Sequence, residues 1–117
     1  MINGISAALS GLTSLQKKNE SIANNTANID TDGYKKTRVT MQEELPQGVS
    51  TNVQQIDTPG PMALERTPEG EVMVEQSNVD LGEEIPQQLL TRRFFQANIK
   101  TIQVHDEMLG SLIDIKK

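Results

Sequence analysis

The chain has 117 residues and a net charge of −5, with 35% hydrophobic and 3% aromatic residues. This length suits one domain, and so few large rings argue against a large self-contained core. The sequence contains no cysteine, which excludes disulfides and thiolate chemistry. No apolar run is long enough to span a membrane, and the first residues lack the basic segment of a cleaved signal peptide. We therefore predict neither membrane insertion nor cleaved export.

The charges fall into three zones along the chain. Between Glu43 and Glu84 there are ten acidic residues and only Arg66 on the basic side, whereas the two flanking zones are weakly basic. Nucleic-acid binding needs a basic stripe that neutralises phosphates, and the basic residues here are scattered. We therefore expect no nucleic-acid partner. The acidic middle is interpreted either as a solvated face or as a surface for a basic partner.

An amphipathic helix is predicted near the N-terminus, from about Asn3 to about Asn28. Its apolar residues recur at alternating spacings of three and four, which places them on one stripe of a helix about 39 Å long. The cluster from Asp30 to Gly33 ends this helix, because Asp and Gly supply turn and left-handed conformations. The stripe residues that we predict to form an assembly interface are Ile5, Leu12, Leu15, Ile22 and Ile29.

The middle of the chain, 34–76, is predicted to be a short β element or an extended loop. Tyr34 to Met41 is rich in residues that favour strands, and the segments Val49–Val53 and Val72–Val74 alternate apolar and polar residues. Pro68-Glu69-Gly70 reads as a turn. The few apolar residues of this segment cannot offset the loss of chain entropy alone, so it must pack on the helices or on a neighbouring molecule.

A second amphipathic helix is predicted in the C-terminal segment. Asp80 followed by Glu83 is a capping-box arrangement, although Pro86 moves the start of the continuous helix nearer Ile85. From there to Ile115 the helix would be about 46 Å long. Its stripe contributes the remaining predicted interface residues, which are Phe95, Ile99, Ile102, Leu109 and Ile113.

These patterns predict a mainly α fold with three segments. An N-terminal helix (1–33) and a C-terminal helix (77–117) pair as a coiled coil, and a short β-rich or extended segment (34–76) joins them. Two polar residues, Asn19 and Asp106, interrupt the apolar stripes. They are interpreted either as positions that fix helix register or as side chains that face a channel or solvent.

No catalytic, cofactor or metal site is predicted. His105 is the only histidine, and its acidic neighbours Asp106 and Glu107 point in other directions on a helix. Two pairs of glutamates are adjacent in sequence and therefore do not face one substrate. No serine lies in a nucleophile elbow, and the glycines form no phosphate-binding loop. We therefore expect a protein that is not an enzyme.

Two specific strings of residues lie near opposite ends of the chain. The first is Ala23-Asn24-Asn25-Thr26-Ala27-Asn28 followed by Thr31-Asp32-Gly33-Tyr34-Lys35; the second is Ser77-Asn78-Val79-Asp80 followed by Phe95-Gln96-Ala97-Asn98-Ile99-Lys100 and Asp106-Glu107-Met108-Leu109. Both strings, in this order, resemble the signatures of the bacterial flagellar axial proteins of the rod and hook.

The strings also supply a set of predicted motif residues. Residues at the first string are expected to shape the end of the first helix, with Asn making local backbone hydrogen bonds and Gly taking a positive φ. Residues at the start of the second string are expected to cap the second helix. The full set is Asn24, Asn25, Asn28, Gly33, Tyr34, Ser77, Asn78, Asp80, Ala97 and Asn98.

The resemblance implies a structural subunit that polymerises through its terminal helices into the axial drive shaft around the export channel. The middle is far shorter than in hook proteins, which insert whole domains there, and this favours the basal-body rod. The implied partners are copies of the chain, other axial proteins and the flagellar type III export apparatus. The implied location is the periplasm-spanning rod, reached without a cleaved signal peptide. The alternative is a soluble coiled-coil adaptor or an export-related chaperone.

Overall fold

The computed structural model describes residues 2–116 as two helices and two β-hairpins. The elements in chain order are α1 (Ile2–Ala27), β1 (Thr37–Glu43), β2 (Val49–Gln55), β3 (Met62–Thr67), β4 (Gly70–Glu75) and α2 (Leu81–Ile115). The molecule measures 82 × 24 × 19 Å, and its radius of gyration is 20.9 Å. A compact chain of this length would have a radius of gyration of about 13 Å. The protein is therefore an elongated body rather than a globule.

Helix α1 ends one residue before the predicted boundary, at Ala27. The Asn28 side chain donates from Nδ2 to the backbone oxygen of Asn24 at 2.8 Å, which satisfies a carbonyl of the last turn. The chain then turns at Gly33, whose φ of +66° lies in the left-handed region. The Gly33 N–H donates to the backbone oxygen of Glu75 at 2.8 Å, so this turn also fixes the end of β4.

The four strands form two separate antiparallel hairpins. Strands β1 and β2 pair from Thr37↔Gln55 to Glu43↔Val49, and β3 and β4 pair from Met62↔Glu75 to Thr67↔Gly70. The β1–β2 hairpin lies along α1. Within residues 2–116, no Cα atom of the β3–β4 hairpin lies within 8 Å of a Cα atom of either helix. The two hairpins therefore have different surroundings.

The predicted mainly α coiled-coil fold is wrong. Helices make up 53% and strands 23% of the structure, so the class is α plus two small sheets. A coiled coil needs apolar rows on both helices, yet the fully buried residues of α2 are the polar Glu84 and Thr91. On α1 the apolar row is shared between α2 and the β1–β2 hairpin. The buried apolar residues among those described are Ala8, Leu15, Ile22, Val39 and Val79.

Helix α2 begins earlier than predicted, at Leu81, and contains Pro86 in its second turn. The Asp80 side chain accepts from the Gly82 N–H at 2.8 Å at the N-cap position of α2. The reciprocal bond of a capping box is replaced, because the Glu83 carboxylate accepts from Lys36 Nζ at 2.6 Å. Neither described helix combines the length and the apolar character that a membrane crossing requires.

Candidate functional site

Helices α1 and α2 contact each other in an antiparallel arrangement with a constant register. A Cβ atom on Gly4 would lie 3.1 Å from His105 Nε2, and one on Gly11 would lie 3.4 Å from Asn98 Nδ2. Gly11 follows Gly4 by the same seven positions that separate Asn98 from His105. We call this contact the helix seam. Gly4 and Gly11 have no side chain and therefore leave room for His105 and Asn98 of α2.

The seam also contains buried polar atoms that find no partner within residues 2–116. They are Thr91 Oγ1 and His105 Nδ1. Thr91 lies seven positions before Asn98, on the same line of α2 that faces α1. Unpaired buried polar atoms weaken a contact, so this part of the seam contributes less to stability than its length suggests.

One end of the seam is closed by a network centred on Asn25, which is 1% exposed. Asn25 Nδ2 donates to the backbone oxygen of Thr37 at 2.8 Å and to Glu84 Oε1 at 3.2 Å. Its Oδ1 accepts from the Thr37 N–H at 2.9 Å and from Tyr34 Oη at 3.3 Å. We call Asn25, Tyr34, Thr37 and Glu84 the Asn25 junction. Only an amide offers donors and an acceptor on one short side chain, so it can join α1, β1 and α2.

A second amide organises the loops beside this junction. Asn78 Oδ1 accepts from the Lys36 N–H at 2.6 Å, and its Nδ2 donates to the backbone oxygens of Ile56 at 2.7 Å and Thr58 at 3.0 Å. The neighbouring Ser77 is buried, and its Oγ accepts from the Val79 N–H at 3.2 Å. Asn78 therefore joins three chain segments immediately before α2 begins.

Serines along α1 attach the β1–β2 hairpin to the helix. Ser14 Oγ donates to the backbone oxygen of Val49 at 3.2 Å, and the Val49 N–H donates to Ser10 Oγ at 3.1 Å. One turn before the Asn25 junction, Ser21 Oγ lies 3.1 Å from the backbone oxygen of Thr37 and 2.7 Å from its Oγ1. The hairpin therefore has one polar attachment near each end.

Two carboxyl groups have pKa values that are shifted in opposite directions by different causes. Burial raises the pKa of Glu84, against the smaller opposing effects of the Asn25 hydrogen bond and the Lys36 charge. At Glu75 the hydrogen bond from Lys35 lowers the pKa, and the bond from the Gly60 N–H acts in the same direction. Burial thus disfavours the ionised form of Glu84, whereas the hydrogen bonds to Glu75 stabilise its carboxylate form.

The predicted interface residues divide between buried and exposed positions. On the α1 side, Leu15 and Ile22 are buried, and Ile5, Leu12 and Ile29 are half-buried. On α2, Ile102 and Leu109 are half-buried, whereas Phe95, Ile99 and Ile113 are 36%, 38% and 63% exposed. The two polar residues of the stripes, Asn19 and Asp106, are both exposed and lie outside the helix seam. The role of this set in assembly stays a prediction.

Of the ten predicted motif residues, Asn25 and Tyr34 belong to the Asn25 junction, and most of the others lie at the end of α1, in the turn that follows it or just before α2. Asn25, Tyr34, Asn78 and Asp80 make the contacts described above, whereas Ala97 is exposed halfway along α2 and Asn98 lies in the seam beside Gly11. Asn24 is exposed and contributes its backbone oxygen to Asn28.

The sequence patterns did not indicate several residues that position these elements. Gly4 and Gly11 admit the α2 side chains, Ser14 and Ser21 attach the hairpin, and Glu84 completes the junction. Both the glycine pair and the serine pair are spaced by seven residues. That repeat is the signal that could have indicated a polar and small-residue contact line beside the apolar stripe.

The surface between α1, β1 and the start of α2 forms an open groove of about 640 Å³. Lys18, Lys36, Arg38 and Glu83 line it, and Lys36 is neutralised by Glu83. In residues 2–116 no group of three or more histidines and carboxylates is placed to hold a metal ion.

Two family sequence models match separate parts of the chain. Residues 5–35 match "Flagella basal body rod protein", which covers most of α1 and the turn at Gly33. Residues 72–115 match "Flagellar basal body rod FlgEFG protein C-terminal", which covers most of β4 and all of α2. The matched regions together include Asn78 and most of the seam and of the Asn25 junction, but not Gly4 or Thr37.

Two curated relatives are similar to the chain over part of its length. The flagellar hook protein FlgE of Borreliella burgdorferi is 43% identical over 44 residues, which are 38% of this chain and 10% of the relative. The flagellar hook protein FlgE of Treponema pallidum is 34% identical over 71 residues, which are 61% of this chain and 15% of the relative. The chain therefore spans only a small fraction of the length of these relatives.

Proposed function

We propose that this chain, which belongs to the family of bacterial flagellar rod and hook proteins, is a structural subunit of the basal-body rod. It polymerises with copies of itself and with other axial proteins into the drive shaft around the export channel. The observation that carries this proposal is the order of the two family matches, 5–35 and 72–115, on one short chain.

The short middle supports the rod rather than the hook. The segment between the two matched regions is 36–71, and it is occupied by the β1–β2 hairpin, β3 and their connecting loops. These elements leave no length for an inserted globular domain, which needs roughly 50 residues or more. A subunit built almost entirely from the two matched ends is suited to a narrow shaft.

The exposed apolar side chains of α2 support a polymer. Leu89, Leu112 and Ile113 are 60%, 53% and 63% exposed, and a surface that leaves large apolar groups in water marks an interaction site. A monomer would gain nothing from this surface. In a helical assembly, neighbouring subunits would cover it through heterologous contacts that propagate along the shaft.

Export through the flagellar type III apparatus is part of the same proposal. The described chain buries few apolar side chains and has no disulfide, so unfolding before passage through a narrow channel costs little free energy. The subunit then reaches the periplasm-spanning rod without a cleaved signal peptide and acts there as a structural protein rather than an enzyme.

The proposal is tested by quantitative mass spectrometry of hook–basal bodies purified from the source bacterium. The matched sample is the same particle from a strain that lacks the hook subunit. We expect the chain in both particles, and in the complete particle at well below the hook subunit's abundance. We also expect a strain in which this chain is deleted to lack hooks and motility. Loss of the chain together with the hook would assign it to the hook, and absence from both particles would overturn the proposal in favour of a soluble adaptor.

A further inference from the structure

The β3–β4 hairpin projects from the molecule with both of its faces uncovered. On one face Met62, Leu64 and Met73 are 55%, 60% and 56% exposed, and on the other Val72 is 49% exposed. The hairpin is attached at its base, where the Gly33 N–H and the Lys35 ammonium both bind Glu75. A two-stranded hairpin with apolar side chains on both faces is marginal in water, so this element needs a surface to pack against.

The hairpin is also acidic. Between Met62 and Glu75 there are four glutamates and one arginine, a net charge of −3. Glu65, Glu69 and Glu71 are all exposed, and Glu71 is only loosely paired with Arg66 at 3.5 Å. A partner surface must therefore combine apolar side chains with positive charge.

Helix α2 carries such a surface on the side away from α1. Asn98 and His105 face α1 in the seam, so residues two positions after this line lie on the opposite side of the helix. That side contains a row of exposed apolar residues with two basic residues along its centre. We call it the outer face of α2, and it consists of Leu89, Leu90, Arg93, Ala97, Lys100 and Val104.

The outer face matches the hairpin in charge and in length. The segment 85–105 contains Arg92, Arg93 and Lys100 and no acidic residue, a charge of +3 with His105 neutral. Six residues of strand extend about 20 Å, and the helix from Leu89 to Val104 extends about 22 Å. Both surfaces combine apolar and charged side chains. Without Glu75, which Lys35 neutralises, the hairpin carries a charge of −2, and Arg93 and Lys100 give the outer face a charge of +2.

We propose that the β3–β4 hairpin of one copy docks on the outer face of α2 of a second copy of this chain. In residues 2–116 the hairpin approaches neither helix of its own chain. The proposed contact therefore joins different surfaces of the two copies, and such a heterologous contact builds a helical polymer when its rotation does not close into a ring. This inference rests on the proposed function, because it names the partner and the surface through which the subunit polymerises.

A single docked hairpin covers an area at the low end of specific interfaces, so the isolated pair is expected to bind weakly. The test therefore traps the contact covalently. The natural chain has no cysteine, which allows a full-length Met73→Cys chain to be mixed with a size-tagged full-length Ala97→Cys chain and a short bismaleimide. The matched control replaces the second chain by a tagged Asn52→Cys chain, because Asn52 is exposed on β2, away from both surfaces.

We expect a several-fold higher yield of the cross-linked mixed pair with Ala97→Cys than with Asn52→Cys. Equal yields would overturn the docking. Circular dichroism of each variant before mixing identifies any chain that has lost helix, and in that case Leu90→Cys replaces Ala97→Cys on the same face.

Charge reversal tests the proposed complementarity. Adding Arg93→Glu and Lys100→Glu to the Ala97→Cys chain should lower the yield roughly tenfold, because like charges then face each other. Adding Glu69→Lys and Glu71→Lys to the Met73→Cys chain should restore it, because Glu71 shares a hairpin face with Met73 and Glu69 lies in the adjoining turn. No loss on reversal, or no restoration by the compensating pair, would overturn the docking.

The two proposals fail in different experiments. A chain that is present in hook–basal bodies but gives no preferential cross-link would retain the rod function and lose this interface. A chain that cross-links as expected but is absent from the particles would retain the interface between copies and lose the rod function.

Discussion

The two ends of this elongated molecule are stabilised in different ways. At the Asn25 junction, polar bonds join α1, β1 and α2 within one chain, and Asn25 is 1% exposed. At the far end of α2, Leu112 and Ile113 are 53% and 63% exposed, and the helix continues beyond the last described contact with α1 at Gly4. The comparison shows that the contacts at the Asn25 junction stabilise the folded monomer, whereas the far end of α2 leaves apolar side chains exposed for contact with other molecules.

The largest difference between the two ends is expected from truncating matched leucines. Leu15 is 3% exposed on α1 and Leu112 is 53% exposed on α2. Leu15→Ala should lower the free energy of unfolding by about 2–4 kcal/mol, because it leaves a cavity in the small core. Leu112→Ala should change it by less than about 0.5 kcal/mol. Urea denaturation followed by circular dichroism measures both.

That pair also tests the division of roles. Leu112→Ala is expected to impair incorporation into basal bodies although it leaves the monomer's stability unchanged. Equal losses of stability in the two variants would contradict the comparison, since they would show that the far end of α2 is also part of the monomer's core.

The next largest effect is expected at the junction. Asn25→Ala removes the donors and the acceptor that serve Thr37, Tyr34 and Glu84, and it leaves buried polar groups unpaired. The expected loss is about 1–3 kcal/mol. Asn24→Ala is the matched control, because Asn24 is exposed and contributes only its backbone. Similar denaturation midpoints for the two variants would contradict the claim that the Asn25 junction stabilises the monomer.

A smaller effect is expected at the turn after α1. Gly33 has a φ of +66° and an open surrounding, so Gly33→Val is strained by its backbone alone. We expect a loss of about 1 kcal/mol or more and impaired assembly. Gly110→Ala is the control, because Gly110 lies within α2 in open space and an alanine there should stabilise the helix by about 1 kcal/mol. Normal motility of the Gly33→Val strain would count against this prediction.

The smallest effect depends on pH. The folded chain holds the proton of Glu84 more tightly than the unfolded chain, because burial raises the carboxyl pKa above 4.5. Ionised Glu84 therefore costs stability at neutral pH, and this cost disappears as the pH falls through the raised pKa and below 4.5. Glu84→Gln should gain stability relative to the natural chain at pH 7, and the gain should shrink towards pH 4.

The control for lost charge is Glu107→Gln, which removes an exposed carboxylate near the far end of α2. Thermal unfolding of the three chains between pH 4 and pH 7 checks the prediction. A gain for Glu84→Gln that grows as the pH falls would have the opposite sign and would mean that Glu84 is stabilised as a carboxylate.

The sequence predicts the elements better than their partners. The periodicity of the apolar residues indicates both helices, and α1 ends within one residue of the expected position. The same periodicity says that a face is apolar but not what covers it. On α1 the stripe is divided between a helix and a hairpin, and on α2 much of it, including Ile113, remains exposed. The prediction of a coiled coil was therefore wrong, because the periodicity did not indicate that α1 also packs on the β1–β2 hairpin.

The asparagines show a similar limit. Local backbone hydrogen bonds were expected for Asn24, Asn25 and Asn28, and Asn28 donates one to the backbone oxygen of Asn24 in the last turn of α1. Asn25 instead bonds to Thr37 and Glu84, and the second of these lies 59 residues away. A residue's type indicates that it can cap a helix, whereas a bond across the chain depends on the tertiary fold.

The antiparallel seam has a mechanical consequence. The first residues of α1 and the last residues of α2 lie at the same end of the molecule, so a force that separates them loads one seam contact at a time. Gly4 and His105 would part first, then Gly11 and Asn98, and the bond between Asn25 and Glu84 would be the last to break. Peeling in sequence needs far less force than shearing all contacts together. The subunit can therefore be opened gently from its two helix ends and can close again from the Asn25 junction outward.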